Sequence, residues 1–113
     1  MIFHIAEASD WAAAQESGDY RVSTRGRSLA DEGFIHASRR GQVLGVAEAA
    51  YADAGPLLLL HIDPDRLVSP VRDDEVEPGI FFPHIYGPIN LDAVVAVAPL
   101  ERTVDGRFVM PPG

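Results

Sequence analysis

Three short apolar segments of this chain each carry a histidine, and this pattern restricts the folds open to it. The segments are residues 1–5, 33–38 and 81–88, and they contain His4, His36 and His84. Each has the β-prone composition of a strand at or beside a core. A buried imidazole without a hydrogen-bond partner costs about 1–3 kcal/mol, so each ring must be paired or serve a site. The pattern therefore predicts a fold in which three separate strands bring their histidines to one polar cleft.

Composition excludes several kinds of chemistry. The chain has no cysteine, which rules out disulfides, thiolate metal sites and cysteine nucleophiles. All nine basic residues are arginine, so lysine bases, Schiff-base lysines and phosphate-binding lysines are also absent. The net charge of −8 opposes binding of long nucleic acids, although an arginine cluster would still suit a small phosphorylated ligand.

The length and the hydropathy pattern predict a single domain in the cytoplasm. The 113 residues suffice for one core, which we expect over residues 1–110, with a flexible tail at 111–113. No apolar run approaches the roughly 20 residues of a membrane span. The first residues also lack the basic and apolar regions of a secretory signal. We therefore expect no contact with membranes.

Periodicity and turn residues predict an α+β fold. Two helices are expected: one capped by Ser9 and ended by Gly18, the other capped by Ser38 and covering residues 39–53. Residues 20–27 are expected to form a polar loop, and the acidic residues 73–77 a solvated one. The predicted strands cover residues 1–5, 33–37, 57–63, 80–86, 92–98 and 107–110. Because strands outnumber helices and do not alternate with them, mixed sheets are favoured over a doubly wound parallel sheet.

Three histidines suggest a metal site, but their spacing does not support one. Zinc sites commonly draw two ligands from one element at close spacing, whereas His4, His36 and His84 are far apart. A serine nucleophile is not favoured either, because the motif G-x-S-x-G is absent and Ser38 suits a helix cap. His61, within an apolar strand, is expected to face solvent or be satisfied locally.

The charged residues leave two interpretations open. Arg21 and Arg25 lie in the predicted polar loop, where their forked guanidinium groups could hold phosphates or simply balance surface acids. The acidic residues 73–77 are expected to be solvated, although one of them could still reach the cleft.

The three histidine segments resemble the signatures of a known family. They read Met-Ile-x-His-Ile, Gly-Phe-Ile-His-x-Ser and Phe-Pro-His-Ile-Tyr-Gly-Pro, in that order, and the match covers nearly the whole chain. The family is the bacterial domain of unknown function 952, which is grouped with ADP-ribosyltransferase-like proteins. The resemblance implies a compact α+β fold of two small, strongly bent sheets around a cleft that holds NAD.

The resemblance also implies roles for individual residues. His4 matches a histidine that hydrogen-bonds the adenine-side ribose, and His36 matches an aromatic residue near the nicotinamide. His84 and Tyr86 stand where the superfamily often places a catalytic glutamate. A related lineage that removes a 2′-phosphate from RNA uses histidine and arginine instead. Together with the arginines of the polar loop, this makes His36, His84 and Tyr86 the candidate catalytic residues, and His4, Ser38, Arg21 and Arg25 the candidate cofactor-binding residues.

These observations lead to four hypotheses. The first is a cleft that binds NAD or a related phosphorylated nucleotide and transfers or hydrolyses ADP-ribose. The second is a nucleotide-binding module that has lost catalysis. The third is a histidine-based metal hydrolase, and the fourth is that the histidines are packed structural residues.

Overall fold

Short strands and few helices make up this chain in the computed structural model, which describes residues 1–112. The helices are α1 (Ala8–Ser17), α2 (Leu29–Glu32) and α3 (Val43–Ala50). The strands are β1 (Ile2–Glu7), β2 (Asp19–Tyr20), β3 (Val22–Thr24), β4 (Arg27–Ser28), β5 (Ile35–His36), β6 (Leu57–Ile62), β7 (Val71–Glu77), β8 (Ile80–Ile85), β9 (Ile89–Asn90), β10 (Val94–Pro99), β11 (Glu101–Arg102) and β12 (Phe108–Val109). The expected α+β class is confirmed. In the part of the chain described, no helix has both the length and the apolarity needed to cross a membrane.

The most apolar strand, β6, lies in the centre of a three-stranded antiparallel sheet between β1 and β10. Its continuous run of leucines is typical of a strand covered on both faces. One face packs against α3 through a cluster that includes Phe3, Leu59 and Val43. The other face packs in a second cluster that includes Ile2, Leu60 and Ile85. The two clusters hold the first sheet between α3 and the rest of the molecule.

A second antiparallel sheet has the order β5, β8, β7 and meets the first sheet along one short segment. Within that segment, His36 pairs with His84 of β8, and the Ala37 N–H donates to the Pro83 carbonyl. One residue further, Ser38 exchanges two backbone hydrogen bonds with Phe3 of β1. Residues 35–38 therefore cross from one sheet to the other, and a cleft opens where the sheets diverge.

Two predicted helix caps are wrong, because other contacts use the backbone at those positions. Ser9 lies inside the first turn of α1, whose N-cap is Glu7. Ser38 is buried and pairs with Phe3 in an extended bridge, which holds its backbone in the β conformation. The second helix consequently begins later than expected, with a 3₁₀ turn at Arg40–Gln42 followed by α3. Gly18 does end α1, in a left-handed conformation with φ 103°.

Two predicted loops are also wrong. Residues 20–27 contain strand β3 and parts of β2 and β4, so the segment is extended rather than irregular. Residues 73–77 belong to strand β7, which pairs with β8 along its length. Pairing with β8 satisfies the backbone of β7, while most of its side chains are exposed and only Val71 and Asp74 are half-buried. Of the predicted flexible tail, Gly113 lies outside the described residues, and Pro111 is buried.

The turn after β8 depends on Gly87. Its φ of 154° is unfavourable for other residues, and a Cβ there would collide with the Ser69 side chain. Ser69 cannot easily move, because its hydroxyl donates to the Pro88 carbonyl at 2.7 Å. Gly87→Ala should therefore lower the free energy of unfolding by about 1–3 kcal/mol. Gly45→Ala, at an open position in α3, should instead raise it by about 0.5–1 kcal/mol. Urea denaturation of both variants checks this difference, and equal effects would contradict it.

Candidate functional site

The cleft between the two sheets brings His4, His36, Ser38 and His84 together. Its volume is about 170 Å³, below the roughly 300–1,000 Å³ of pockets that enclose a whole drug-sized ligand. One aromatic ring with a small substituent is therefore the size of group that it can enclose. The lining residues are Phe3, His4, Ile5, Thr24, His36, Ala37, Ser38, Val46, Tyr51, Val76, Phe82 and His84.

His4 lies at the base of the cleft with both ring nitrogens hydrogen-bonded. Nδ1 donates to the His36 carbonyl at 2.5 Å, and Nε2 accepts from the Tyr20 hydroxyl at 2.8 Å. Burial lowers the pKa of His4 to about 4 and raises the pKa of Tyr20, so both groups are neutral at pH 7. His4 thus ties β1 to β5 and β2. A ligand could hydrogen-bond this ring only by displacing Tyr20.

His84 is paired with a carboxylate. Its Nδ1 lies 2.8 Å from Asp74 Oδ2, and the Tyr86 hydroxyl donates to the same oxygen. These two contacts, Tyr86 first, hold the pKa of Asp74 below its usual value, and Asp74 in turn raises the pKa of Tyr86. Because Nδ1 faces an ionised acceptor, it carries the proton and Nε2 is left with its lone pair. A histidine oriented in this way can accept a proton from a bound nucleophile.

His36 lies directly beside His84 on the same sheet face and has its own carboxylate. Its Nε2 lies 3.0 Å from Glu32 Oε1, and this hydrogen bond is the main cause of the lowered pKa of Glu32. The ring centroids of His36 and His84 are 5.2 Å apart in an edge-to-face arrangement. Their direct pairing across β5 and β8 explains the contact, since paired residues project from the same face of a sheet. Two histidines backed by carboxylates therefore line one small hollow.

Phe34 covers His84 and was not singled out from the sequence. The two rings stack with centroids 4.1 Å apart and planes 14° apart, and Phe34 also contacts His36 at 4.9 Å. The Ser23 hydroxyl holds this position by donating to the Phe34 carbonyl at 2.5 Å. Phe34 keeps water from one face of the His84 ring, which strengthens the interaction with Asp74. The sequence signal for its place in the site is its position two residues before His36, because residues two apart in a strand share a face.

The outer edge of β1 adds backbone groups to the cleft. Phe3 uses its N–H and C=O at this edge to bond Ser38. Ile5 lies two residues further along, so the alternation of a strand directs its N–H and C=O to the same side. The Tyr51 hydroxyl lies 3.5 Å from the Ile5 carbonyl, and burial raises the pKa of that tyrosine. Ile5 therefore directs a backbone N–H and C=O to the edge beside the histidines, and the C=O already accepts from the Tyr51 hydroxyl.

The remaining predicted residues lie at different distances from the cleft. Tyr86 does not line it but contacts Asp74 and lies 5.5 Å from Phe34 between ring centroids. Arg25 follows the lining residue Thr24 and binds Asp53 at 2.5 Å. Arg21 is exposed, pairs with Asp19, and faces a separate shallow depression beside α1. Arg21 therefore lies away from the cleft and its histidines.

The described residues give little support to a metal centre. Residues 1–112 contain no group of three or more histidine, aspartate or glutamate side chains placed to hold an ion. His61 of β6 lies on the opposite face of the first sheet from His4, and its ring meets the Phe3 ring edge-on with centroids 5.1 Å apart. The residue is half-buried, but its Nε2 is buried and has no hydrogen-bond partner among the described residues, so the ring is not locally satisfied at this atom.

Comparison with known proteins gives a family match and similar solved structures. The family described as protein of unknown function (DUF952) matches residues 5–97. The crystal structure of protein CC0527 from Caulobacter crescentus is 27% identical with a TM-score of 0.83, covering 96% of this chain and 92% of that one. The solution NMR structure of CC0527 is 28% identical with a TM-score of 0.75, covering 94% of this chain and 89% of that one. No curated protein matches this chain.

Proposed function

This chain belongs to the DUF952 family of proteins of unknown function, and we propose that its histidine-lined cleft binds NAD or a related phosphorylated nucleotide and transfers or hydrolyses ADP-ribose. The proposal includes an ADP-ribosyltransferase-like arrangement of the two sheets. The single observation that carries it is the meeting of His36 and His84, each backed by a carboxylate, in a hollow sized for one aromatic ring.

The nicotinamide end of NAD fits the chemistry of the cleft. A planar ring suits a hollow walled by Phe3, Phe82 and the two imidazoles. A carboxamide needs both a hydrogen-bond donor and an acceptor, which the Ile5 N–H and C=O supply together. The cleft is too small for the whole dinucleotide, so the ribose and phosphates extend from its mouth. Arg25, adjacent to Thr24, is the arginine best placed to meet a phosphate there.

Hydrolysis would proceed at the bond between nicotinamide and ribose. A water oxygen bonds to C1′ of the ribose as the C1′–N bond breaks, and nicotinamide leaves as a neutral molecule. The proton lost by the water passes to Nε2 of His84. Asp74 stabilises the resulting imidazolium, because it already accepts from Nδ1 of the same ring. Transfer to another acceptor follows the same course, with the acceptor replacing water.

Binding and turnover can be tested together. At ten times its Kd, NAD should stabilise the protein by about 1.4 kcal/mol, which is roughly 5 °C in melting temperature for a domain of this size. His84→Gln should abolish nicotinamide release, and His36→Gln should weaken binding. Arg21→Ala should leave both unchanged, because Arg21 lies outside the cleft. Thermal unfolding and chromatography of nicotinamide provide the measurements.

Two outcomes would change the proposal. Stabilisation by NAD without nicotinamide release would favour a non-catalytic nucleotide module. If melting temperature does not respond to NAD, to ADP-ribose or to nicotinamide, the cleft does not hold this ligand class.

A further inference from the structure

A groove runs from the cleft across the surface between α3 and the hairpin formed by β7 and β8. It shares Val46, Val76 and Phe82 with the cleft, so the two hollows are continuous. Its other lining residues are Gly41, Gln42, Gly45, Ala49, Glu77 and Ile80. A molecule lying in this groove would reach the histidines with one of its ends or side chains.

The two walls of the groove differ. Gly41, Gly45 and Ala49 recur every four residues along the helical wall, and the two glycines have open space where a Cβ would lie. The hairpin wall presents apolar side chains to solvent, with Val76 49% and Ile80 43% exposed. A shallow apolar trough of this kind suits an extended chain with apolar side chains.

The charge of the groove selects against phosphates. Glu77 lines it and Glu75 lies at the adjoining hairpin tip. Among the described residues that line it, none is basic, and the nearby Arg39 binds Asp73 at 2.8 Å. The whole chain carries a net charge of −8. A nucleic acid or the diphosphate of NAD would be repelled here, whereas a basic polypeptide would be attracted.

We propose that this groove holds an extended, basic and apolar peptide segment of a partner protein, which is the second substrate of the cleft. This inference rests on the proposed function for its chemistry. An arginine side-chain nitrogen of the segment bonds to C1′ of the bound ribose as the C1′–N bond to nicotinamide breaks. Nicotinamide leaves as a neutral molecule, and the proton displaced from the nitrogen passes to Nε2 of His84.

Peptide binding can be measured without NAD, so a failure of the peptide proposal can be distinguished from a failure of the nucleotide proposal. The probe is a fluorescein-labelled peptide of sequence Leu-Val-Arg-Val-Leu, followed by fluorescence anisotropy. Two matched peptides replace its arginine with glutamate, or its apolar residues with serine. Both should bind at least about tenfold more weakly, because each loses one of the two features that the groove recognises. Equal binding of the three peptides, or no binding of the first at millimolar protein, would overturn the proposal.

A variant that fills the groove provides the structural control. Gly45→Leu places a side chain in open space on an exposed helix position, so it should preserve the fold and raise the melting temperature. The leucine side chain should occupy the groove and thereby weaken binding of the arginine peptide at least about tenfold. Ala12→Leu on the exposed surface of α1 is the matched substitution and should bind the peptide normally. Unchanged binding to folded Gly45→Leu would contradict the assignment of the groove, whatever the result with NAD.

Discussion

Asp74→Asn is expected to slow nicotinamide release from NAD by about 10²- to 10⁴-fold, with little change in NAD affinity. Asp74 does not line the cleft, but its carboxylate fixes the Nδ1 proton of His84 and stabilises the positive ring that forms when Nε2 accepts a proton. An amide at this position offers no negative charge and can turn its NH₂ toward the imidazole. The rate constant under saturating NAD separates this effect from binding.

Asp73→Asn is the matched control for that experiment. Asp73 immediately precedes Asp74 in β7, projects from the opposite face of the strand and binds Arg39 at the surface. Its substitution should leave the rate unchanged. Tyr86→Phe, which removes the second donor to Asp74, should produce a smaller loss than Asp74→Asn. Equal rates for wild type and Asp74→Asn would remove His84 from the role of base.

Buried His4 is expected to make the stability of the protein fall at acidic pH. His4 has a pKa of about 4 in the folded protein and about 6.5 when unfolded. The unfolded chain therefore binds the extra proton first, and the contribution of neutral His4 to stability is complete above pH 6.5 and lost as pH falls toward 4. Between pH 7.5 and pH 5, the free energy of unfolding should decrease by about 2 kcal/mol from this residue alone.

His4→Gln should remove that pH dependence while also lowering stability. Tyr20→Phe is the comparison, because it leaves Nε2 of His4 buried without a donor and should cost about 1–3 kcal/mol at neutral pH. That variant keeps the imidazole and with it a dependence on pH. Burial also lowers the pKa of His61. Because His61 is present in all three proteins, its contribution to the pH dependence cancels in the comparison. Urea denaturation at several pH values gives the slopes, and parallel slopes for wild type and His4→Gln would contradict the account.

The parts of the fold that local sequence determines were predictable. The leucine run of β6, the apolar strand β8 and the end of α1 at Gly18 follow from hydropathy and from glycine's conformational freedom. The prediction of a helix cap at Ser38 is wrong because a serine at this position suits a helix cap as well as an extended strand. Only the long-range bridge to Phe3 decides its conformation. Local preference is a weak guide wherever a tertiary contact consumes the same backbone groups.

The same limit applies to the cleft. The three histidines were recognisable as polar residues within apolar segments, and the structure brings all three to one hollow. Asp74 was not separable from its acidic neighbours, because charge alone does not show that they belong to a strand. Once β7 is known to be extended, alternation places Asp74 on the face of His84 and Asp73 on the other. The carboxylate of the site thus depends on a pairing that the sequence of β7 by itself does not reveal.

The most direct test of a nucleotide-binding histidine cleft is an amide and imidazole NMR titration of the labelled protein with NAD. We expect saturable shifts at Ile5, His36, Ser38 and His84, with the largest ring changes at His84. The signals of Arg21 and of the β11–β12 hairpin should remain in place. Shifts confined to residues outside the cleft, or none at millimolar NAD, would contradict it.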